Sequence, residues 1–258
     1  MRVIDTHAHL DFPDFDPDRD GLIEELAAQE IAVINPATDR DSIAKIDKLS
    51  RDNPMVWGAL GLHPTEITEE LLPQLPGLID GWRELFNLND KLVAVGEIGL
   101  DYYHGAKSAS TQKTALRTML TFALEQKLPV IFHCRDAYGD LKTIIDDYPG
   151  LTAVIHCFSG TLEQAQAFLD QGLSLSLTAI ITYPGNDELR QTVSKIPLEK
   201  LMLETDAPFL SPQESRGKRN DPRNVVTVAE TLSAVRSVSL ESVLEQTTKN
   251  AQQLFNIG

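Results

Sequence analysis

Short apolar runs alternate with amphipathic stretches along the whole chain. Runs near 3–9, 31–37, 55–62, 92–98, 128–134, 151–157, 173–181 and 201–206 predict eight strands. Each is almost continuously apolar, as expected of parallel strands covered on both faces. Helical periodicity fills the intervals near 18–30, 40–51, 68–87, 109–126, 138–147, 161–171 and 187–195. Asp39 and Thr161, the latter followed by Leu162-Glu163-Gln164, stand where caps belong. Beyond the eighth strand, 223–237 and 239–255 predict two closing helices.

Eight β/α alternations without linker, repeat or low-complexity segment predict an α/β fold, a single (β/α)8 TIM barrel spanning 1–258 with closing helices at its C-terminal end. An open doubly wound sheet is the alternative. It is disfavoured because no glycine-rich fingerprint follows the first strand. An open sheet would also scatter the polar strand ends, whereas a ring makes them meet.

Those polar ends are the second pattern. His7 and His9 end the first run, His63 the third, Glu97 the fourth, His133 the fifth, His156 the sixth and Asp206 the eighth. Functional side chains of a barrel project from the C-terminal strand ends, and residues two apart on a strand, such as His7 and His9, share a face. Imidazole with carboxylate suits zinc, manganese or magnesium, and six protein ligands are too many for one tetrahedral zinc. The pattern therefore predicts two divalent ions (Mg, Mn or Zn). The first is assigned to His7, His9, Glu97 and Asp206, the second to Glu97, His133 and His156. Two such ions can activate a water and stabilise both attacking and leaving oxygens.

Composition narrows the class. A 42% hydrophobic content supports a sizeable core, and a formal net charge of −15 argues against a protein that coats nucleic acid with its whole surface. Two cysteines give no disulfide framework. Cys134 and Cys157 each follow a ligand histidine, so alternation should turn them to the other face as buried thiols. No run approaches the ~20 apolar residues of a membrane span and no signal peptide is visible, so the expectation is a cytoplasmic protein without membrane or protein partner.

The remaining polar residues divide by register. Glu204, two before Asp206, faces the same side and is expected to hydrogen-bond a ligand histidine. Asp101, four after Glu97, either orients a ligand or braces its loop. His63 is read as a substrate contact, and His104, in a Tyr-Tyr-His-Gly segment, as a surface residue. After the eighth strand, Arg216, Lys218 and Arg219 gather in a strongly acidic chain, with Arg223 just beyond. Barrel loops following late strands often bind phosphate, and Arg219 and Asn220 are the expected donors.

Several segments carry a family resemblance: Asp5-Thr-His-Ala-His-Leu-Asp11, Gly61-Leu-His-Pro64, Val95-Gly-Glu-Ile-Gly-Leu-Asp-Tyr-Tyr103, Ile131-Phe-His-Cys-Arg-Asp136, Ile155-His-Cys-Phe-Ser-Gly160 and Leu203-Glu-Thr-Asp-Ala-Pro208. In this order they resemble the TatD family of metal-dependent hydrolases, within the amidohydrolase-like barrels. The resemblance implies a dinuclear site on His7, His9, Glu97, His133, His156 and Asp206. It also implies a deoxyribonuclease, commonly of the 3′→5′ exonuclease type. One departure is Asn224, which stands in the late loop where the family carries an aromatic.

The leading expectation is therefore phosphodiester hydrolysis at nucleic acid 3′ ends, with Glu97 and Asp206 catalytic and Asp206 taking the proton of the attacking water. His63 and the Arg219 loop would hold non-bridging oxygens. The alternative is hydrolysis of a carboxyl ester or amide, such as a misacylated tRNA or another small phosphorylated or acyl substrate. A non-catalytic metal-binding scaffold is the third reading. A carbamylated-lysine site is set aside because Glu97 stands where it needs lysine.

Overall fold

The computed structural model describes residues 1–105 and 108–258. Eight parallel strands run in sequence order: β1 (Val3–Asp5), β2 (Ile31–Pro36), β3 (Val56–Leu60), β4 (Leu92–Asp101), β5 (Val130–Arg135), β6 (Ala153–Ile155), β7 (Ser174–Leu177) and β8 (Leu201–Leu203). Just past their formal ends β8 and β1 also meet. The Thr6 amide donates to the Leu203 carbonyl at 3.0 Å, the Asp206 amide to His7 at 2.8 Å and the His9 amide to Ala207 at 2.7 Å. The sheet thereby closes into a (β/α)8 barrel.

The strand side chains fall into two sets, as their pattern requires. Ile4, Ala32, Ile34, Ala59, Ala94, Ile131, Val154 and Met202 pack with one another inside the ring. Their alternates, such as Val3, Val33, Val95, Phe132 and Leu203, join the helices outside. The interior is thus a packed core rather than a pore. At the end opposite the functional loops it is stoppered by Ala251 and Phe255 of α10 (Leu240–Phe255). Asn250 of α10 ties in by donating to the carbonyls of Leu198 and Leu201.

The outer layer contains α1 (Arg19–Ala28), α2 (Ser42–Asp52), α3 (Leu75–Leu88), the short α4 (Tyr102–Gly105), α5 (Ala109–Gln126), α6 (Tyr138–Ile145), α7 (Leu162–Leu169), α8 (Asp187–Lys195) and α9 (Val225–Arg236). Thr161 forms the full capping box with Gln164, and Asp39 accepts from the Ser42 amide at 2.7 Å. Three boundaries differ from the periodic reading. The 68–87 stretch contains Pro73 and Pro76, so its start becomes a 3₁₀ turn and α3 begins only at Leu75. The run 173–181 divides into β7 and a 3₁₀ turn, Ala179–Thr182. β4 runs on to Asp101, with consequences for the site. No helix among the described residues is long and apolar enough to cross a membrane.

Candidate metal centre

Two breaks in strand alternation aim the site. On β4 the inward set runs through Ala94, which would leave Glu97 facing the helices. A bulge intervenes: Val95 pairs with Val130 but Ile98 with Phe132, so three steps on β4 match two on β5. The extra residue turns Glu97 into the barrel, as bulges beside functional sites do. Inward alternation then resumes through Gly99 and Asp101. Gly99 lies opposite His133, where a Cβ would stand 1.9 Å from the His133 carbonyl oxygen. Only glycine lets the strands stay paired there and brings Asp101 to the His133 ring. On β1, a bend at Thr6 similarly lets His7 and His9 turn inward although Ile4 already occupies the inner set.

Glu97 is the hub. Its Oε2 lies 3.3 Å from Nε2 of His7 and 4.0 Å from Nε2 of His9. Its Oε1 lies 2.8 Å from Nδ1 of His133 and 3.0 Å from Nε2 of His156. Asp206 Oδ1 completes the first group, 3.4 Å from Nε2 of His9 and 3.7 Å from Nε2 of His7. The Nε2 atoms of His7 and His9 are 3.2 Å apart.

These groups settle one another's charge. Burial alone would raise the Glu97 carboxyl, but His156, His7 and His63 around it hold it well below the usual carboxylate range. Burial likewise opposes ionisation of Asp206, and the His9 hydrogen bond with the neighbouring histidines overcomes it. His9, His133 and His156 also resist burial and are raised, His9 by Asp206, His133 by Asp101 and Glu97, and His156 by Glu97 and Glu204. His7 goes the other way, lowered by burial and by His156, whose ring stacks on it with centroids 3.9 Å apart.

The donor set fits a metal. Ligand atoms around a tetrahedral zinc with bonds of about 2.0–2.1 Å stand about 3.3–3.4 Å apart; among His7, His9, Glu97 and Asp206 three separations are 3.2, 3.3 and 3.4 Å, and two more are 3.7 and 4.0 Å. His7 with His9 and Glu97, and His7 with His156 and Asp206, each bring three ligand atoms within one coordination span. The far nitrogens of the second pair of histidines are held by buried carboxylates. His133 Nε2 lies 3.2 Å from Asp101 Oδ2, and His156 Nδ1 lies 3.2 Å from Glu204 Oε1. Such partners fix the tautomer and turn the other nitrogen toward a metal. Glu204 is itself secured by the Cys157 amide at 2.6 Å and the Ser176 hydroxyl at 2.5 Å.

His63 also lies near this centre, its Nε2 3.7 Å from Glu97 Oε1. Burial, with His133 and His156, pushes it down to about 4, so the ring is neutral. Its Nδ1 meets the Thr65 hydroxyl at 2.6 Å and accepts from the Thr65 amide at 3.3 Å, and the tautomer with the proton on Nε2 is the one that lets both Thr65 groups donate. A protonated nitrogen donates and does not ligate. That arrangement favours an oxygen acceptor over a third histidine ligand beside Glu97 and His133.

Four expectations meet a different arrangement. Arg219, read as a phosphate donor, makes two 2.7 Å bonds to the carboxylate of Asp18 and a third to the Asp14 carbonyl. It also lies over the Phe15 ring at 4.5 Å. Asn220, its proposed companion, is fully buried and bonded to the Thr205 carbonyl, the Asp221 amide and Asn224. Neither residue lines the cleft; both hold the loop. His104 does more than face solvent, because its Nδ1 sits 2.9 Å from the same Asp101 oxygen that faces His133, and it borders the cleft. Cys134 joins the outer core as alternation implies, but Cys157 follows the end of β6 in a left-handed turn (φ 48°) and is only half-buried.

One functional-looking residue escaped the pattern. Asp5, fully buried, accepts from the Thr205 amide at 2.9 Å and its hydroxyl at 2.5 Å, and also from the His7 amide. It joins the two strand ends that deliver His7 and Asp206. Its sequence signals are an acidic residue closing an apolar strand and a place at the head of the segment from Asp5 to Asp11, neither of which shows its partner Thr205.

The site opens into a cleft of about 1680 Å³, lined by residues that include Phe12, Asp39, Arg135, Asp136, Asp140 and Phe209. This exceeds the ~300–1,000 Å³ of a drug-sized ligand site, leaving room for more than one substrate residue.

Comparison with known proteins supplies a family. The sequence pattern of the TatD related DNase family matches residues 4–256. The chain is 33% identical to YabD of Bacillus subtilis (strain 168), described as an uncharacterized metal-dependent hydrolase, over 99% of this chain and 100% of that protein. It is 30% identical to the 3′-5′ ssDNA/RNA exonuclease TatD of Salmonella typhimurium, over 99% of each. Its fold superposes on the crystal structure of YjjV, a TatD homologue from Escherichia coli K12, with a TM-score of 0.89 and 33% identity, covering 100% and 99% of the two chains.

Proposed function

The chain belongs to the TatD-related DNase family, and from that membership we propose that it is a nuclease, hydrolysing phosphodiester bonds at the 3′ end of a nucleic acid strand with two divalent ions bound. The observation that carries this reading is the division of Glu97, one oxygen toward His7 and His9 and the other toward His133 and His156. A carboxylate so shared is suited to bridge two ions. His7, His9, Glu97 and Asp206 would hold one, and Glu97, His133 and His156 the other.

Bound there, the ions supply Lewis acidity and a water that ionises near neutral pH. Asp206 stays ionised and reaches the same volume, so it is the residue to accept the proton of the attacking water. His63 donates through Nε2 to a non-bridging phosphate oxygen as charge builds on it. Asp101 and Glu204 keep His133 and His156 in register. Phe12 and Phe209 pack edge to face at 5.7 Å on one wall of the cleft, with Phe209 49% exposed. Such a wall suits an unpaired base.

The test is incubation of manganese- and magnesium-loaded protein with 3′- and 5′-labelled single and double strands, with chelation and metal re-addition as controls. Stepwise shortening from the 3′ end that chelator abolishes and metal restores is expected. No cleavage of any strand, with turnover of a carboxyl ester or amide instead, would replace this reading.

A further inference from the structure

Arg135 closes β5 two residues after His133 and lines the cleft. Among the described residues it is the single lysine or arginine there, in a lining that includes the carboxylates of Asp39, Glu66, Asp136 and Asp140. Surface arginines of this chain are mostly engaged by acids: Arg117 by Asp147, Arg190 by Asp187, Arg219 by Asp18 and Arg223 by Glu25. Arg135 has acids nearby, yet none among the described residues forms an ion pair with it. Its guanidinium lies instead 4.2 Å from the centroid of the Tyr103 ring, which is 63% exposed.

That placement has a chemical meaning. Stacking on an aromatic face holds the guanidinium plane while leaving its N–H edges available. A planar, oriented, unpaired guanidinium is a bidentate ligand for phosphate. Its strand position, two residues and about 6.6 Å of rise beyond His133, sets it on the cleft side of the metal centre. The cleft also has room beyond the reacting group.

We propose that Arg135, held flat by Tyr103, binds a substrate phosphate neighbouring the one that is hydrolysed, so that the protein recognises a polynucleotide end rather than an isolated phosphodiester. The proposal rests on the nuclease reading above. It assigns selection for chain length to one residue that takes no part in the proposed chemistry.

The experiment compares wild type, R135A, R135K and Y103A, all metal-loaded, on a ten-residue oligothymidylate and on bis(p-nitrophenyl) phosphate, which has no neighbouring phosphate. In R135A the KM for the oligonucleotide should rise about tenfold with kcat within twofold. The salt dependence of its log kcat/KM should become shallower by about 0.7, the value of one phosphate contact on a single strand. Turnover of the small diester should not change. R135K should keep the salt slope but lose part of the affinity, and Y103A should show a smaller rise in KM.

An unchanged KM and salt slope in R135A would overturn the proposal, as would an equal loss on both substrates, which would mark a structural role. Should wild type cleave neither substrate, the nuclease reading itself fails. Anisotropy of a labelled oligothymidylate on the same proteins then decides the subsite: equal affinity and salt slope in wild type and R135A refute it.

Discussion

Asp5 and Thr205, 200 residues apart, are joined by two hydrogen bonds across the line where the barrel closes, the Thr205 hydroxyl and amide both donating to the Asp5 carboxylate. Burial raises the Asp5 carboxyl well above its usual range despite these donors. D5A leaves the two Thr205 donors and the His7 amide without an acceptor, at roughly 1–3 kcal/mol for each buried group left unpaired. D5N keeps one oxygen and is milder. Urea melts should order the midpoints wild type, D5N, D5A. A D5A midpoint equal to wild type contradicts this account of the seam.

D206N separates chemistry from folding. Asp206 has φ 56°, a left-handed conformation that asparagine also tolerates. The variant should therefore melt close to wild type while kcat falls by about 10²–10⁴-fold, the usual weight of a general base. D206A adds backbone strain and should be less stable than D206N. Retained turnover in D206N would remove Asp206 from the proposed role.

E204Q tests the carboxylate behind His156. Glutamine keeps an oxygen for the Cys157 amide but not the charge that faces His156. Metal affinity, measured by chelator competition, should fall about 10–100-fold. D101N should act in the same way through His133. Unchanged affinities in both would show that these carboxylates only brace the loops.

The histidines set opposite pH trends for metal-free and loaded protein. His9, His133 and His156 are raised in the fold, so their pairing adds stability that is complete below about pH 6.5 and lost as pH rises through the folded values. His63, neutral down to about 4, acts only on the acid side of that window. Metal needs the same nitrogens free of protons. From about pH 6.5 to about pH 8, the metal-free melting temperature should fall while the gain from added manganese grows. A metal-free midpoint that climbs over this interval contradicts the assignment.

R219A and N220A should affect stability more than substrate binding. Asn220 is fully buried, and its loss leaves the Thr205 carbonyl and the Asp221 amide without a partner, a cost of roughly 1–3 kcal/mol for each. Arg219 pairs with Asp18 at the surface, so R219A should lower the melting temperature less. The KM for an oligonucleotide should stay near wild type in both. A selective rise in KM for R219A would restore the sequence-based expectation.

The barrel was legible because the strands are apolar runs, six of the eight with a histidine or carboxylate at the end, and a closed ring is the arrangement that makes those ends meet. His7, His9, Glu97, His133, His156 and Asp206 were found on that ground and do converge. What remained hidden is non-local. The bulge that aims Glu97 is a mismatch between two strands and leaves no trace in either alone. Arg219 looked like an anion donor because its neighbours in the chain are cations, while its partner Asp18 lies 201 residues away. His104 seemed isolated because its link to His133 passes through Asp101. The exposed guanidinium that the cleft does offer, Arg135, has no cationic neighbours in the chain to mark it; its place comes from the end of β5 and the Tyr103 ring 32 residues earlier.

The seam between β8 and β1 also dictates when the centre can exist. His7 and His9 leave the ribosome first, Glu97 follows, and Asp206 arrives only after the eighth strand. Contacts of such sequence separation are late and slow to form. A nascent chain halted before residue 201 carries five of the six side chains but lacks the strand that closes the ring. Tight metal uptake during synthesis would therefore report completion of the barrel, and the ion would act as a final latch on the last strand to dock.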